Sequence, residues 1–108
     1  MTTRLYLLVS TLLLCAPHAR AEDAADLWGK SCKSCHGPDG RARTRLGQKE
    51  AIADMSQAAW QKAQTDAALR DVIANGSSRN TKMKGYKDRL TPEQMDALVR
   101  YIRTLKAK

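Results

Sequence analysis

Cys32-Lys33-Ser34-Cys35-His36 is the stretch on which the reading of this 108-residue chain turns. Two thiols one helical turn apart can form thioethers with the two vinyl groups of a haem. An imidazole on the next residue can reach the iron from the same side, and C-x-x-C-H is the spacing of c-type haem attachment. A bare C-x-x-C also serves disulfide exchange and zinc. The fifth-position His and an export signal upstream favour haem. A thiol oxidoreductase would be colourless, with titratable thiols. Zinc is weaker still, because Cys32, Cys35 and His36 leave at least one ligand missing from a closed tetrahedral site.

Residues 1–21 read as a signal peptide. Arg4 supplies positive charge, Leu5 to Cys15 form an apolar run of eleven residues, and Ala19-Arg20-Ala21 matches the small-x-small cleavage pattern. The run is far short of the roughly 20 residues that a spanning helix needs. The bulky Leu14 is wrong for lipid attachment at Cys15. The expected mature chain is therefore residues 22–108, a single domain in the periplasm, with no stable membrane insertion.

Cleavage leaves Cys32 and Cys35 as the only thiols and His36 as the only imidazole. A domain of 87 residues makes a thin core and needs a staple. There is no Phe in the chain, so a covalently held porphyrin would supply missing apolar bulk as well as chemistry.

The pattern is helical throughout. Ala24, Trp28 and Cys32 fall four apart on one face of a helix over about Asp23 to Cys35, which Gly37-Pro38-Asp39-Gly40 stops. The basic stretch RARTRLGQK (41–49) reads as loop, and Glu50 to Ala63 as a weak helix. Thr65-Asp66 opens a helix over Ala67 to Ala74 that Asn75-Gly76 closes. Residues 77–90 read as a long loop. The last helix carries Thr91 as N-cap, Pro92 at the first position and Gln94 to complete a capping box, with Leu90 and Met95 as a staple across it. Leu98, Tyr101, Ile102 and Leu105 follow as an apolar stripe. No segment alternates with period two, so the fold class is all-α.

LWGKSCKSCHG (27–37), KMKGY (82–86) and LTPEQMDALVRYIRTL (90–105), in that order, make the chain resemble a class I c-type cytochrome over essentially its whole mature length. The resemblance implies a small cytochrome c fold, with helices wrapped around one haem and the first and last helices crossing. Ala24 and Trp28 would meet Leu98 and Tyr101 at that crossing. Two positions depart from the family pattern. Residues 41–50 contain no Pro, whose preceding carbonyl often holds the axial His, so no acceptor for His36 can be named. Met83-Lys84-Gly85-Tyr86 lacks the Pro that commonly follows the ligand Met, which leaves that loop less rigid.

The sixth iron ligand separates function classes, since a closed iron transfers electrons and an open one binds small gases or peroxide. With no second His, the sulfur candidates are Met55, Met83 and Met95; a lysine or an open site are the other readings. Met95 falls on the core face of a capped helix, where packing explains it. Met55 suits either role. Met83 lies just before the last helix, where the resemblance places the ligand. Thioether ligation opposite His raises the reduction potential. Trp60 and Tyr86 read equally as packing residues with polar tips and as donors to a haem propionate.

Of 19 Lys and Arg, Arg4 and Arg20 leave with the signal, so 17 face 11 Asp and Glu. Arg41, Arg43 and Arg45 follow the haem motif, and Lys82, Lys84, Lys87 and Arg89 flank Met83. A positive rim around the haem edge would steer the protein to redox partners with acidic docking surfaces. Nucleic acid and a small-molecule substrate are not expected. The leading expectation is a periplasmic monohaem electron carrier, not itself an enzyme, with haem c on Cys32 and Cys35 and iron held by His36 and Met83. Its alternatives are a haem c subunit of a specific oxidoreductase and an open-site sensor or peroxidase-like protein.

Overall fold

The computed structural model describes residues 23–106; the signal peptide expected over residues 1–21 lies outside the described residues. Asp23 caps the first helix, its carboxylate accepting from the Ala25 N–H at 3.2 Å, and α1 runs Ala24–Ser31. Cys32 keeps helical dihedrals, and α2 covers Lys33–His36. Hydrogen bonds from Cys32 N to the Trp28 carbonyl and from His36 N to the Cys32 carbonyl carry the coil across the junction. The expected first helix is thus present as two nearly continuous pieces. Gly37, at φ 78°, ends it in a backbone region that L side chains rarely adopt.

Two stretches differ from the sequence reading. Within 41–49 the chain forms a short helix, α3 (Arg45–Lys49), rather than loop throughout. Thr44 caps it: the hydroxyl accepts from Gly47 N at 2.8 Å and donates to the Cys35 carbonyl at 2.7 Å. That tertiary bond is invisible in a stretch with no apolar period. The helix expected from Glu50 to Ala63 shrinks to α4 (Ala58–Ala63). Residues 50–57 are used for turns instead, with Ala51 at φ 51° and Asp54 accepting from both the Ser56 hydroxyl and the Ser56 N–H.

α5 (Asp66–Asn75) starts at the Thr65 cap and stops at Gly76, φ 85°. Residues 77–90 form the long loop, whose limbs meet in an isolated antiparallel bridge between Gly76 and Lys84. α6 (Pro92–Thr104) carries the full capping box, with Gln94 N to Thr91 Oγ1 at 3.1 Å and Thr91 N to Gln94 Oε1 at 2.8 Å. Named strands are absent among the described residues.

α6 packs across α1 and α5. Leu27 and Trp28, Leu69 and Ile73, and Met95, Leu98, Val99 and Ile102 make one buried cluster, against which Leu90, Tyr101 and Leu105 pack. The Trp28 and Tyr101 rings lie 5.5 Å apart, so the first and last helices do cross at their aromatics. A polar hub braces the far end of α6. Buried Gln61 donates to the carbonyls of Met55 (2.8 Å) and Ile102 (2.9 Å). Arg103 answers it, reaching the Gln61 and Gln64 carbonyls and the Asp66 carboxylate.

Trp28→Ala is expected to lower unfolding free energy by about 3–5 kcal/mol, the usual cost of removing a buried large aromatic. Urea titration of the holoprotein checks this, and a loss below about 1 kcal/mol would contradict the helix crossing. Gly47→Ala tests the seat of α3. An added Cβ would overlap the Ala42 carbonyl oxygen and lie 2.7 Å from that of Cys35. Overpacking against backbone should cost about 1–3 kcal/mol, seen as a lowered unfolding midpoint.

Candidate haem-binding site

The haem motif occupies the end of the first helical run, and its backbone is fixed from two sides. The Trp28 indole N–H donates to the Gly37 carbonyl at 2.8 Å, which ties the turn after His36 to the core. Thr44 holds the Cys35 carbonyl from the α3 side. The His36 carbonyl accepts from Ala42 N at 2.9 Å, closing residues 36–42 into a tight loop. Motif geometry is therefore held by hydrogen bonds from the Trp28 indole, the Thr44 hydroxyl and the Ala42 amide.

A cavity of about 430 Å³ opens beside this motif. Cys32 and His36 line it from the first helices and Met55 from the turn before α4. Trp60, Leu69, Val72 and Ile73 line it from α4 and α5, Met83 from the long loop, and Leu98 and Ile102 from α6. Its wall is largely apolar, with Arg79, Ser77 and Ser78 as the polar part from the long loop. Cys32, His36 and Met83 are thus brought to one cavity from segments far apart in sequence. Cys35 is half-buried on α2 and does not line it. Met55 shares the wall, whereas Met95 is 4% exposed within the core.

His36 fits an iron ligand. Its ring lies 5.7 Å from Trp28, and burial holds its pKa below the ordinary value, so the imidazole is neutral and has a lone pair to give. Nδ1 is buried with no hydrogen-bond partner. The missing acceptor agrees with the absence of Pro from residues 41–50. Burial, and secondarily Cys35, push the Cys32 thiol up to about 11; a thioether at this sulfur carries no proton and escapes that penalty. An apolar cavity, two thiols and a neutral imidazole fit a covalent haem.

The Met83 loop is pinned at its base. Ser77 N bonds the Met83 carbonyl at 3.0 Å, Tyr86 N bonds Ile73 and Lys87 N bonds Ala74. Gly85 lies so close to the end of α5 that a Cβ would overlap the Ala74 carbonyl oxygen. The Tyr86 hydroxyl donates to the Ser31 carbonyl at 3.2 Å, joining the loop to α1. Trp60 lines the cavity half-buried. Sequence reasoning missed Thr44, the indole bond of Trp28 and the carboxylate of Glu50, which reaches Asn80 and Lys82. Only Thr44, a cap residue one position before a possible helix, left a readable signal.

Comparison with known proteins shows the family. Residues 19–102 match the family model described as cytochrome c oxidase, cbb3-type, subunit III. The cbb3-type cytochrome c oxidase subunit FixP of Azorhizobium caulinodans is 29% identical over 85 residues, covering 79% of this chain. The chain spans 27% of that relative's length. Among solved structures, the KustC0563 c-type cytochrome superposes with a TM-score of 0.71 at 34% identity, covering 79% of this chain and 99% of its own. A point mutant of the same protein gives 0.69 at 34% identity, covering 78% and 99%. With its all-α fold, its attachment motif and a cavity to match, the chain belongs to the cytochrome c family of cbb3-type subunit III and carries one covalently bound haem c.

Proposed function

We propose that this protein is a periplasmic single-electron carrier, with haem c joined to Cys32 and Cys35 and iron held between His36 and Met83. The observation that carries the reading is the meeting of Cys32, His36 and Met83 on one apolar cavity. When bound, the haem supplies a one-electron iron couple. The chain's own residues do the rest. His36 offers a neutral imidazole, and the Met83 thioether favours the ferrous state and raises the potential. The apolar wall from Leu69, Ile73, Leu98 and Ile102 keeps water from the iron. Met55 is the competing sulfur on the same wall. Met83 is preferred because its loop, unlike the Met55 turn, matches the family's ligand loop in sequence position.

The basic segments supply the partner surface. Glu50, one residue past α3, bonds Lys82, so the end of α3 and the apex of the long loop adjoin. Arg43, Arg45, Lys84 and Lys87 are exposed. Such a field steers encounter with acidic docking surfaces. A second reading is favoured by the FixP match: the chain would be a haem c module that passes electrons within an oxidase assembly.

Met83→Ala should abolish the weak red charge-transfer band of the ferric iron–thioether bond, lower the potential and open the iron to cyanide. Met55→Ala and Met95→Ala should keep the band. A wild-type protein that lacks the band and binds carbon monoxide rapidly would defeat the carrier reading. For the surface, stopped-flow electron transfer to an acidic redox protein should slow as salt rises from about 10 to 300 mM, because the Debye length shrinks from about 30 Å to below 8 Å. A rate indifferent to salt would remove the electrostatic docking argument.

A further inference from the structure

The long loop is held unequally. Backbone bonds pin its base to α5, as described above, but its apex, residues 79–82, has no such support. Within the apex, Asn80 is the hub. Its carbonyl accepts from Met83 N at 3.0 Å and its Oδ1 accepts from Lys82 N at 3.0 Å. Ser77 Oγ accepts from Arg79 N at 3.1 Å. All of these stay inside the loop. Among the described residues, the side-chain bonds that leave the apex both end on Glu50, with Asn80 Nδ2 at 3.2 Å and Lys82 Nζ at 2.5 Å.

Glu50 is built for this reach. Its side chain is 16% exposed, against 67% for Lys82. The turn that presents it is tightly determined. Glu50 N bonds the Leu46 carbonyl, Ile52 N bonds Gly47, and Ala51 holds φ 51°, a left-handed conformation costly for a residue with a Cβ. α3 in turn seats on the haem motif through Thr44 and Cys35. A continuous path therefore runs from the Cys35 carbonyl through Thr44, α3, Glu50 and Asn80 to the Met83 amide. The Lys82 ammonium and the Asn80 amide hold the Glu50 carboxyl below its ordinary pKa, as expected of an anion that accepts charge-assisted bonds.

We propose that Glu50 is a positioning residue for the Met83 loop, clamping its apex through Asn80 and Lys82 and supplying the rigidity that a Pro at position 84 would otherwise give. The clamp joins the His36 side of the site to the Met83 side. It slows departure of the Met83 thioether without touching the iron. The proposal rests on Met83 as the sixth ligand.

The test is cyanide binding to the ferric holoprotein at neutral pH, which requires the thioether to leave. Glu50→Gln should accelerate binding about tenfold, the scale on which the loss of one charge-assisted hydrogen bond acts. Lys82→Ala, which removes the partner and spares Glu50, should accelerate it similarly, and the double variant should add little more. Should Glu50→Gln fail to mature, Lys82→Ala carries the test alone. The urea midpoint of either variant should stay near wild type, since neither residue belongs to the buried apolar cluster. Wild-type binding rates in both variants, with fast binding in Met83→Ala, would overturn the clamp and leave the ligand assignment standing. An unchanged rate in Met83→Ala would overturn the ligand assignment and the clamp with it. Acceleration matched by a fall in the urea midpoint would mean general loosening, and would also overturn the positioning role.

Discussion

The indole of Trp28 is the point at which fold and site become one object. Its N–H donates to the Gly37 carbonyl, its ring lies 5.7 Å from His36 and 5.5 Å from Tyr101, and it is 3% exposed. The hydrogen bond satisfies a buried donor that would otherwise cost about 1–3 kcal/mol. It also fixes where the chain turns after the imidazole. The ring contact with Tyr101 fixes where α6 crosses. Remove the indole, and the orientation of His36 and the docking of the last helix lose the same support.

That dependence follows from how little core the chain can make. Ten apolar residues are buried among the described residues, and they are aliphatic apart from Trp28. The cavity of about 430 Å³ lies against them, bordered by Trp28, Leu69, Ile73, Leu98 and Ile102. Interiors of folded proteins are packed nearly as densely as organic crystals, and a cavity of this size is room for a large apolar group beside the core. A haem c held on Cys32 and Cys35 would fill it and staple α1 to the core. Cofactor binding is then folding energy as well as function, as it is for small metal domains.

The elements legible in the sequence were those whose signals are local. Thr91, Pro92 and Gln94 marked the start of α6, Thr65 the start of α5 and Gly76 its end, because caps and left-handed stops act within a few residues. The attachment motif was equally local. The absence of Phe and the small size of the chain pointed to a porphyrin as apolar bulk for the core. What stayed hidden acts across the fold. α3 forms because Thr44 finds the Cys35 carbonyl and Gly47 allows close backbone approach. Gln61 is buried because it bridges the Met55 and Ile102 carbonyls, 41 residues apart in the second case. Glu50 reads as one more surface acid until Asn80 and Lys82 come beside it. Sequence periodicity carries no record of such pairings.

The dependence of this core on its cofactor is open to one direct measurement. The polypeptide can be made with Cys32→Ala and Cys35→Ala, so that no haem is attached, and heated while far-UV circular dichroism is followed. A core completed by haem requires a bare chain of low helicity with no cooperative transition, whereas the holoprotein melts sharply. A bare chain that keeps native helicity and unfolds cooperatively near the holoprotein's temperature would contradict it, and would mean that Trp28 and α6 close the core alone.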